Sequence, residues 1–564
     1  MTTENERRGR GISRRNLLKG AGAATLAGGA TLLGIPSSVS ARTVGSQRGG
    51  PPGRSGEGTG DLGLINGNFV DARGHVGSAL TIKNGRITEV GQLRALGPDA
   101  QVINLQGRMV IPGLVNGHVH HIRAGNNPGY EVRTIESALS LQEFQEKISR
   151  RTPTVPAGEF ITCRRGWNHT QWDPPVRPTK AHLDEAAPDH PVFVAGVAGR
   201  NPTGAVTNSL GQAFFTDRGI SVDEVTGELP EGPAFSALQA EQTLEQRLRQ
   251  NFDNNAWTLS LGVTTVLDAL GGGTQPFFRE IPLELHRQGR LKVRHRLYLP
   301  SGSPETVEER VQNMFREMGD EMFRAGGFGE TIGVRSEIPT TFEPVARVIA
   351  EHGWKMQNHT DFFSQVDEQI QAFQMISMDQ QIDDLRWQLI HVFETRDDQL
   401  ELLRQLGVGV NLENERYLDL LNRGAGPSFR QILNSGVDIG IGTDGSNFAP
   451  NNPWLMLFYM TTGINVHGEP ENAGQTISRM DALRLFTQGS AFQSFDDQLL
   501  GTFDEGKIAD LAVLSENFLT VPEERMRSIR SVLTIVDGKI VHEGEEPQYA
   551  GIDEQFEFLS RIVM

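Results

Sequence analysis

A short apolar strand that runs straight into two histidines constrains this chain more than any other feature. Met109-Val-Ile111 breaks at Pro112-Gly113, and Leu114-Val115 then leads into His118-Val119-His120, with His121 following. In an extended strand, residues i and i+2 project to the same face. His118 and His120 therefore leave the end of one strand together, as two imidazoles must to grip one metal ion. His121 leaves on the opposite face, where packing behind the site is the better reading. A lone His-x-His is more often just two polar residues at a strand end, so its meaning depends on what the rest of the chain sends to the same place.

Downstream, strand and helix patterns alternate, which favours a parallel sheet with helical crossovers. Strands are predicted at Thr264–Leu267, Val293–Leu299, Thr331–Val334, Lys355–His359, Trp387–His391, Val408–Leu412 and Val437–Asp444, with helices such as Pro344–Glu351 and Arg396–Leu406 between them. With the first strand this makes eight, the number an α/β fold of the (β/α)8 TIM-type barrel requires, and functional residues of such barrels gather at the carboxyl ends of the strands. His359, His391 and Asp444 end the fifth, sixth and eighth strands and join His118 and His120 as candidate ligands. Asn411, Glu413 and Arg416 follow the seventh strand, where they face either substrate or solvent; a charged loop is usually solvated. His169, between Trp167 and Trp172, is balanced between substrate contact and surface packing.

The remaining segments fall around this unit. Residues 61–110 and 501–545 are β in pattern, with Asn66-Gly67, Asn84-Gly85 and Asp537-Gly538 as hairpin turns. They are expected to form one small β-sandwich domain from both chain ends, beside a barrel spanning 111–500. Residues from about 124 to 252 do not fit the strand count and read as an insertion after the first strand, with an apolar run at Pro191–Ala195. Gly271-Gly-Gly273 lacks the spacing of a phosphate loop and reads as a plain loop.

The amino terminus reads as an address. Arg7, Arg8 and Arg10 precede Ser13-Arg-Arg-Asn-Leu-Leu-Lys19, then comes a Gly-rich, weakly apolar run and Val39-Ser40-Ala41. The order of basic region, short apolar region and small-residue cleavage site is that of a signal peptide over residues 1–41, and its Arg14-Arg15 core resembles a twin-arginine signal. Residues 42–60 read as a Gly-rich linker. Removing residues 1–41, which carry six Lys/Arg and two Asp/Glu, takes the formal charge from −17 to −21. That acidity argues against nucleic acid or an anionic membrane as partner. The expected partners are a small-molecule substrate and the twin-arginine export machinery, with a periplasmic or extracellular destination. The single Cys163 excludes an intrachain disulfide.

The chain resembles the amidohydrolase superfamily through Pro112–His120, Gly262-Val-Thr-Thr-Val266, Asn358-His359, Ile390-His391, Gly442-Thr-Asp444 and Gly506–Val513. Within it, Gly166-Trp167, Leu183-Asp184, Pro188-Asp-His-Pro191 and Asn208-Ser209 resemble the amidohydrolase-3 branch, which includes N-substituted formamide deformylases. The resemblance implies that His118, His120 and His359 bind metal, and that Asp444 binds metal and takes the proton of an attacking water. It also implies that His391 is a second-metal ligand or orients water and substrate.

Two departures stand out. Arg335 occupies the place of a lysine that many members carboxylate to bridge two metals, and Thr203 stands where the branch usually has a histidine. A guanidinium keeps its proton to above about pH 12, so Arg335 cannot make that bridge; Glu337 is a further candidate for it. The expectation is therefore a single divalent ion, zinc by preference with Fe²⁺ or Mn²⁺ as alternatives, in a hydrolase of an amide, cyclic amide or N-formyl C–N bond. The alternatives are an aminohydrolase acting on a heterocycle and a barrel-fold binding protein without turnover. Arg335, Glu337, His169 and Asn411 are the candidate substrate contacts.

The address has a direct test. Replacing Arg14 and Arg15 by Lys is expected to leave the precursor in the cytoplasm, measured by fractionation; unchanged export would exclude the twin-arginine reading.

Overall fold

Short, largely buried runs make parallel strands here because helices or loops cover both of their faces. In the computed structural model, residues 61–91, 96, 100–197, 203–269, 280–332, 341–413, 415–419, 424–445 and 449–549 are described. The expected signal peptide and linker, Gly271–Gly273, Arg335 and Glu337 lie outside them. Among the described residues, eight strands make up the two parallel sheets: β1 (Leu114–Val119), β2 (Val263–Ala269), β3 (Arg294–Leu299), β4 (Phe323–Phe328), β5 (Gln357–Thr360), β6 (Gln388–His391), β7 (Gly409–Leu412) and β8 (Ile439–Ile441). They form two four-stranded sheets, β1-β2-β3-β4 and β5-β6-β7-β8. A parallel bridge between Phe328 and Met356 lies between β4 and β5. At the other junction, the N–H groups of Thr443 and Asp444, just past β8, both donate to His118 O at 3.0 Å.

Helices fill the connections: α1 (Leu244–Ser260), α2 (Glu280–Arg287), α3 (Pro304–Asn313), α4 (Glu343–Glu351), α5 (Phe363–Ser377), α6 (Asp397–Gln405), α7 (Phe429–Ser435) and α8 (Pro453–Thr462). Their apolar faces share one core with the strands, including Trp257, Val293, Ile349, Phe373, Trp387 and Trp454. No described helix is long and apolar enough to cross a membrane.

One strand differs from its expected place. The fourth strand is Phe323-Arg-Ala-Gly-Gly-Phe328; of the expected Thr331–Val334, the first two residues lie outside any strand and the last two lie outside the described residues. Two glycines and an arginine carry little β propensity, but tertiary packing demands them. A Cβ on Gly327 would lie 2.7 Å from Lys355 O, and one on Gly326 would lie 3.1 Å from the Tyr298 ring.

The two chain ends do meet in one eight-stranded sheet, in which Leu511–Leu514 pairs antiparallel with Met109–Pro112. Asn84-Gly85 and Asp537-Gly538 turn hairpins as expected, with φ of +50° and +55° at the Asn and Asp. Asn66-Gly67 does not. Asn66 takes φ +53°, yet the strand Leu62–Asp71 continues through it with a bulge. The bulge hands the strand from one parallel neighbour, Gln101–Asn104, to another, Met109–Val110.

Between β1 and α1 the chain builds a separate five-stranded sheet in which Val192–Ala195 is the central strand. Its core stacks Trp167 on Trp172, with their centroids 5.7 Å apart, beside Phe144. Helix α1, whose amino-terminal part falls within the span expected for the insertion, packs against β2 and against the end sheet.

One buried ion pair ties that end sheet to the parallel strands. Arg294, at the start of β3, donates to both carboxylate oxygens of Asp510 at 2.6 and 3.0 Å, and Asp510 also accepts the Asp537 N–H at 2.8 Å. Removing one member strands the other charge in the interior. Asp510→Ala is expected to cost about 3–5 kcal/mol in chemical denaturation, leaving His118, His120 and Asp444 in place.

Candidate metal centre

The site begins with glycines that bring backbones together. A Cβ on Gly117 would lie 2.4 Å from Asn411 Nδ2, and one on Gly442 would lie 2.6 Å from His118 N and O. With both as glycine, β1 lies against β8. Asn116 locks the pair by donating to Thr443 Oγ1 at 2.8 Å and accepting the Thr443 N–H at 3.0 Å. Asp444 follows at φ +47°, a left-handed conformation that turns its side chain to the ends of β1 and β4.

Four side chains converge there. His118 Nε2 lies 2.9 Å from Glu330 Oε2 and 3.5 Å from Asp444 Oδ1; His120 Nε2 lies 3.6 and 3.1 Å from the same two oxygens. Ligand atoms of all four residues fall within 4.8 Å of one another. The imidazoles are aimed from behind: His118 Nδ1 faces Gln357 Oε1 at 3.3 Å and His120 Nδ1 faces Ala269 O at 2.5 Å. Protons on the two Nδ1 atoms leave the Nε2 lone pairs pointing at the carboxylates. Among the described residues, His118 Nε2, Glu330 Oε2 and Asp444 Oδ1 have no hydrogen-bond partner.

Facing lone pairs of this kind need positive charge between them, and a divalent cation fits the donor set of two imidazoles and two carboxylates. Without a metal, protons supply that charge. Burial works to lower both imidazoles, but Asp444 and Glu330 overcome it and raise them. Burial likewise works to raise the two carboxyls, and the histidines hold both low, so they stay ionised.

A second group lies alongside. His391, Glu415 and Asp444 also bring ligand atoms within 4.8 Å. His391 Nδ1 is 3.1 Å from Glu413 Oε2 and 3.7 Å from Glu415 Oε2. Burial would lower His391, yet the charges of Glu415 and Glu413 raise it to about 10. Burial pushes Glu415 up to about 8. The His359 ring stands 4.3 Å from that of His391 and its Nε2 lies 3.2 Å from Asp361 Oδ1, outside the four-residue cluster.

Of the residues singled out in the sequence, His118, His120 and Asp444 come together, with His391 and His359 beside them. Asn411 turns into the space beneath, where it donates to Gln493 Oε1 at 2.7 Å. His169 is buried in the insertion with Nδ1 3.1 Å from the hydroxyl of Thr203, the residue that departs from the branch pattern. The insertion's Asn208 and Asp184 serve structure: Asn208 caps a helix at Gly211 N, and Asp184 accepts from Ser209 N and Oγ.

Glu330 and Glu415 are the residues of these two groups that sequence reasoning missed. Glu330 obeys the same rule as the others, an acid just past a strand's carboxyl end, but the glycine-rich β4 hid that strand. Glu413 and Arg416, read as a solvated loop, are buried. A separate cavity of about 660 Å³ opens at the amino end of β8, beside Asp438, Ile439 and Lys507, away from these histidines.

The amidohydrolase family profile matches residues 101–542. N-substituted formamide deformylase of Arthrobacter pascens is 23% identical, with 86% of this chain and 98% of that protein covered. Among solved structures, an uncharacterised metal-dependent hydrolase from Pyrococcus horikoshii OT3 is similar at a TM-score of 0.54 and 18% identity, over 82% of this chain and 99% of that one. The zinc complex of atrazine chlorohydrolase TrzN from Arthrobacter aurescens TC1 gives 0.52 at 16% identity, over 89% and 100%. At these identities the structural likeness speaks for the fold.

Behind the centre, His121 packs its ring edge-on to His295 at 5.1 Å and bonds Asn255 Oδ1 at 3.0 Å. Burial lowers His121 to about 4, and burial together with the neighbouring His121 lowers His295 to about 3. Both stay neutral when folded, whereas in the unfolded chain they gain protons near pH 6.5. The stability they carry is complete above about pH 6.5 and is lost as pH falls toward their folded values. Chemical denaturation at about pH 7 and pH 4 is expected to show His295→Phe losing less stability than wild type over that interval, by about 3 kcal/mol.

Proposed function

Because the chain belongs to the amidohydrolase family, we propose that it is an exported metal-dependent hydrolase whose substrate is an amide, cyclic amide or N-formyl compound. Hydrolysis of a carbon–nitrogen bond with a divalent metal is the activity its family and site share. The observation that carries the reading is the meeting of His118, His120, Glu330 and Asp444 at the ends of β1, β4 and β8. We read the eight strands as one (β/α)8 barrel, with these residues at its carboxyl-end mouth. The relationship to an N-substituted formamide deformylase supports the substrate class, and Arg14-Arg15 supports export.

His118, His120, Glu330 and Asp444 would hold the metal, zinc by preference. A divalent cation there supplies the Lewis acidity that brings a water's pKa to about 7 and polarises a carbonyl. Asp444, ionised and turned into the mouth, accepts the proton of the attacking water and returns it to the leaving nitrogen, so that acid and amine depart with the proton balance closed. His391, beside Asp444 and rich in protons, donates to the carbonyl oxygen as negative charge develops on it.

The sequence reading of one ion rested on the missing carboxylate at the fourth strand. Glu330 supplies a carboxylate and so removes that ground; we keep one ion because this carboxylate joins the same four-residue cluster as His118, His120 and Asp444, and His391, Glu415 and Asp444 would be the seat of any second. Elemental analysis after metal loading and dialysis decides the count. A value near two, with activity tracking the second equivalent, would replace the one-ion reading.

Asp444→Asn is expected to retain the fold and lower kcat by roughly 10²–10⁴-fold. Steady-state kinetics on a panel of amides and formamides, with products identified, provide the check. Release of formate or another carboxylate supports the reading; ammonia released from a ring amine moves the assignment to deamination.

A further inference from the structure

His391 occupies an unusual backbone position. Its φ is +74°, and Val392 follows at +40°. Two consecutive non-glycine residues in the left-handed region, one of them β-branched, persist only where their surroundings enforce it. Three contacts do so. The Val392 N–H donates to Thr360 O at 2.8 Å, the Phe393 ring stacks near the His391 ring with centroids 5.8 Å apart, and the His391 N–H donates to Glu413 Oε2 at 2.6 Å.

The third contact is the one with charge. Glu413 is fully buried, and the oxygen that takes the backbone proton also lies 3.1 Å from His391 Nδ1. Its other oxygen, Oε1, is buried without a hydrogen-bond partner among the described residues. A buried carboxylate is costly unless paired, and this one faces the imidazole. One side chain thus grips both the backbone and the ring of the histidine that stands between the rings of His118 and His359, at 5.5 and 4.3 Å.

We propose that Glu413 is a positioning residue: it holds His391 in its left-handed conformation and directs the imidazole into the hydrolytic mouth. The inference rests on the hydrolytic reading above. Glu413→Gln keeps an acceptor for the His391 N–H but loses the charge, and Glu413→Ala removes both. At equal metal content, kcat should fall about tenfold in Glu413→Gln and up to about 100-fold in Glu413→Ala, the range typical when a histidine loses its carboxylate partner. KM should stay within about threefold, since Glu413 reaches its effect through His391. Crystal structures of the variants should show His391 out of the left-handed region in Glu413→Ala and retained there in Glu413→Gln.

Wild type and Asp444→Asn, run in parallel, separate the two ideas. If wild type hydrolyses no amide or formamide of the panel, the hydrolytic reading fails and the variant structures alone decide the positioning of His391. If wild type turns over and Asp444→Asn does not, while both Glu413 variants keep kcat within twofold and His391 unmoved, only the positioning role fails. A loss of kcat that disappears when rates are normalised to folded protein also overturns it. Should Glu413→Ala fail to fold, the Glu413→Gln kinetics and structure decide alone.

Discussion

The mutual approach of two imidazoles and two carboxylates is the interaction on which the rest of this structure depends. His118, His120, Glu330 and Asp444 put acceptor atoms within 4.8 Å of one another in a largely buried pocket. Such a group is tolerable only if positive charge sits among them, and in a low-dielectric surrounding that requirement is severe. The surrounding scaffold acts against the repulsion. Gln357 and Ala269 hold the outer nitrogens of the two imidazoles, and Asn116 clamps the segment that carries Asp444. The consequence is a preorganised cation seat whose cost is met by the fold, which is what a hydrolytic centre requires.

Around this seat the protein concentrates further acid. Glu413, Glu415 and Asp361 adjoin His391 and His359. Imidazoles are the principal compensating groups there, so their placement is as constrained as that of the four clustered residues. The left-handed backbone at His391 and Asp444 belongs to the same arrangement. In both residues the chain leaves a strand and turns its side chain inward at the first opportunity, a conformation that strand sterics alone would not select.

The insertion after β1 and the sheet made from the chain ends have separate cores and separate tasks. The family-like motifs of the insertion, Gly166-Trp167 and Asn208-Ser209, build its aromatic packing and cap its helix. The end sheet is fastened through Arg294 and Asp510, whose guanidinium and carboxylate satisfy one another in the interior.

From the sequence alone, the period-2 geometry of His118-Val-His120, the alternation of strand and helix, and the histidines and aspartate closing apolar runs were legible. Each depends only on neighbours along the chain, and strand periodicity is a local property. Glu330 was not legible, because its strand, Phe323-Arg-Ala-Gly-Gly-Phe328, carries glycines chosen by Lys355 and Tyr298 across the sheet. Nor was the burial of Glu413, since a charge in a polar loop reads as solvated until its partner is known. The turn at Asn66 failed for a similar reason: Asn-Gly permits positive φ, but whether the chain reverses there or bulges is decided by which strands lie alongside. Local patterning therefore determined where most of these strands end and that His118 and His120 share a face. Only the tertiary structure decided which carboxylates join them, because electrostatic pairing follows distance in space, and the partners of His118 lie hundreds of residues away in the chain.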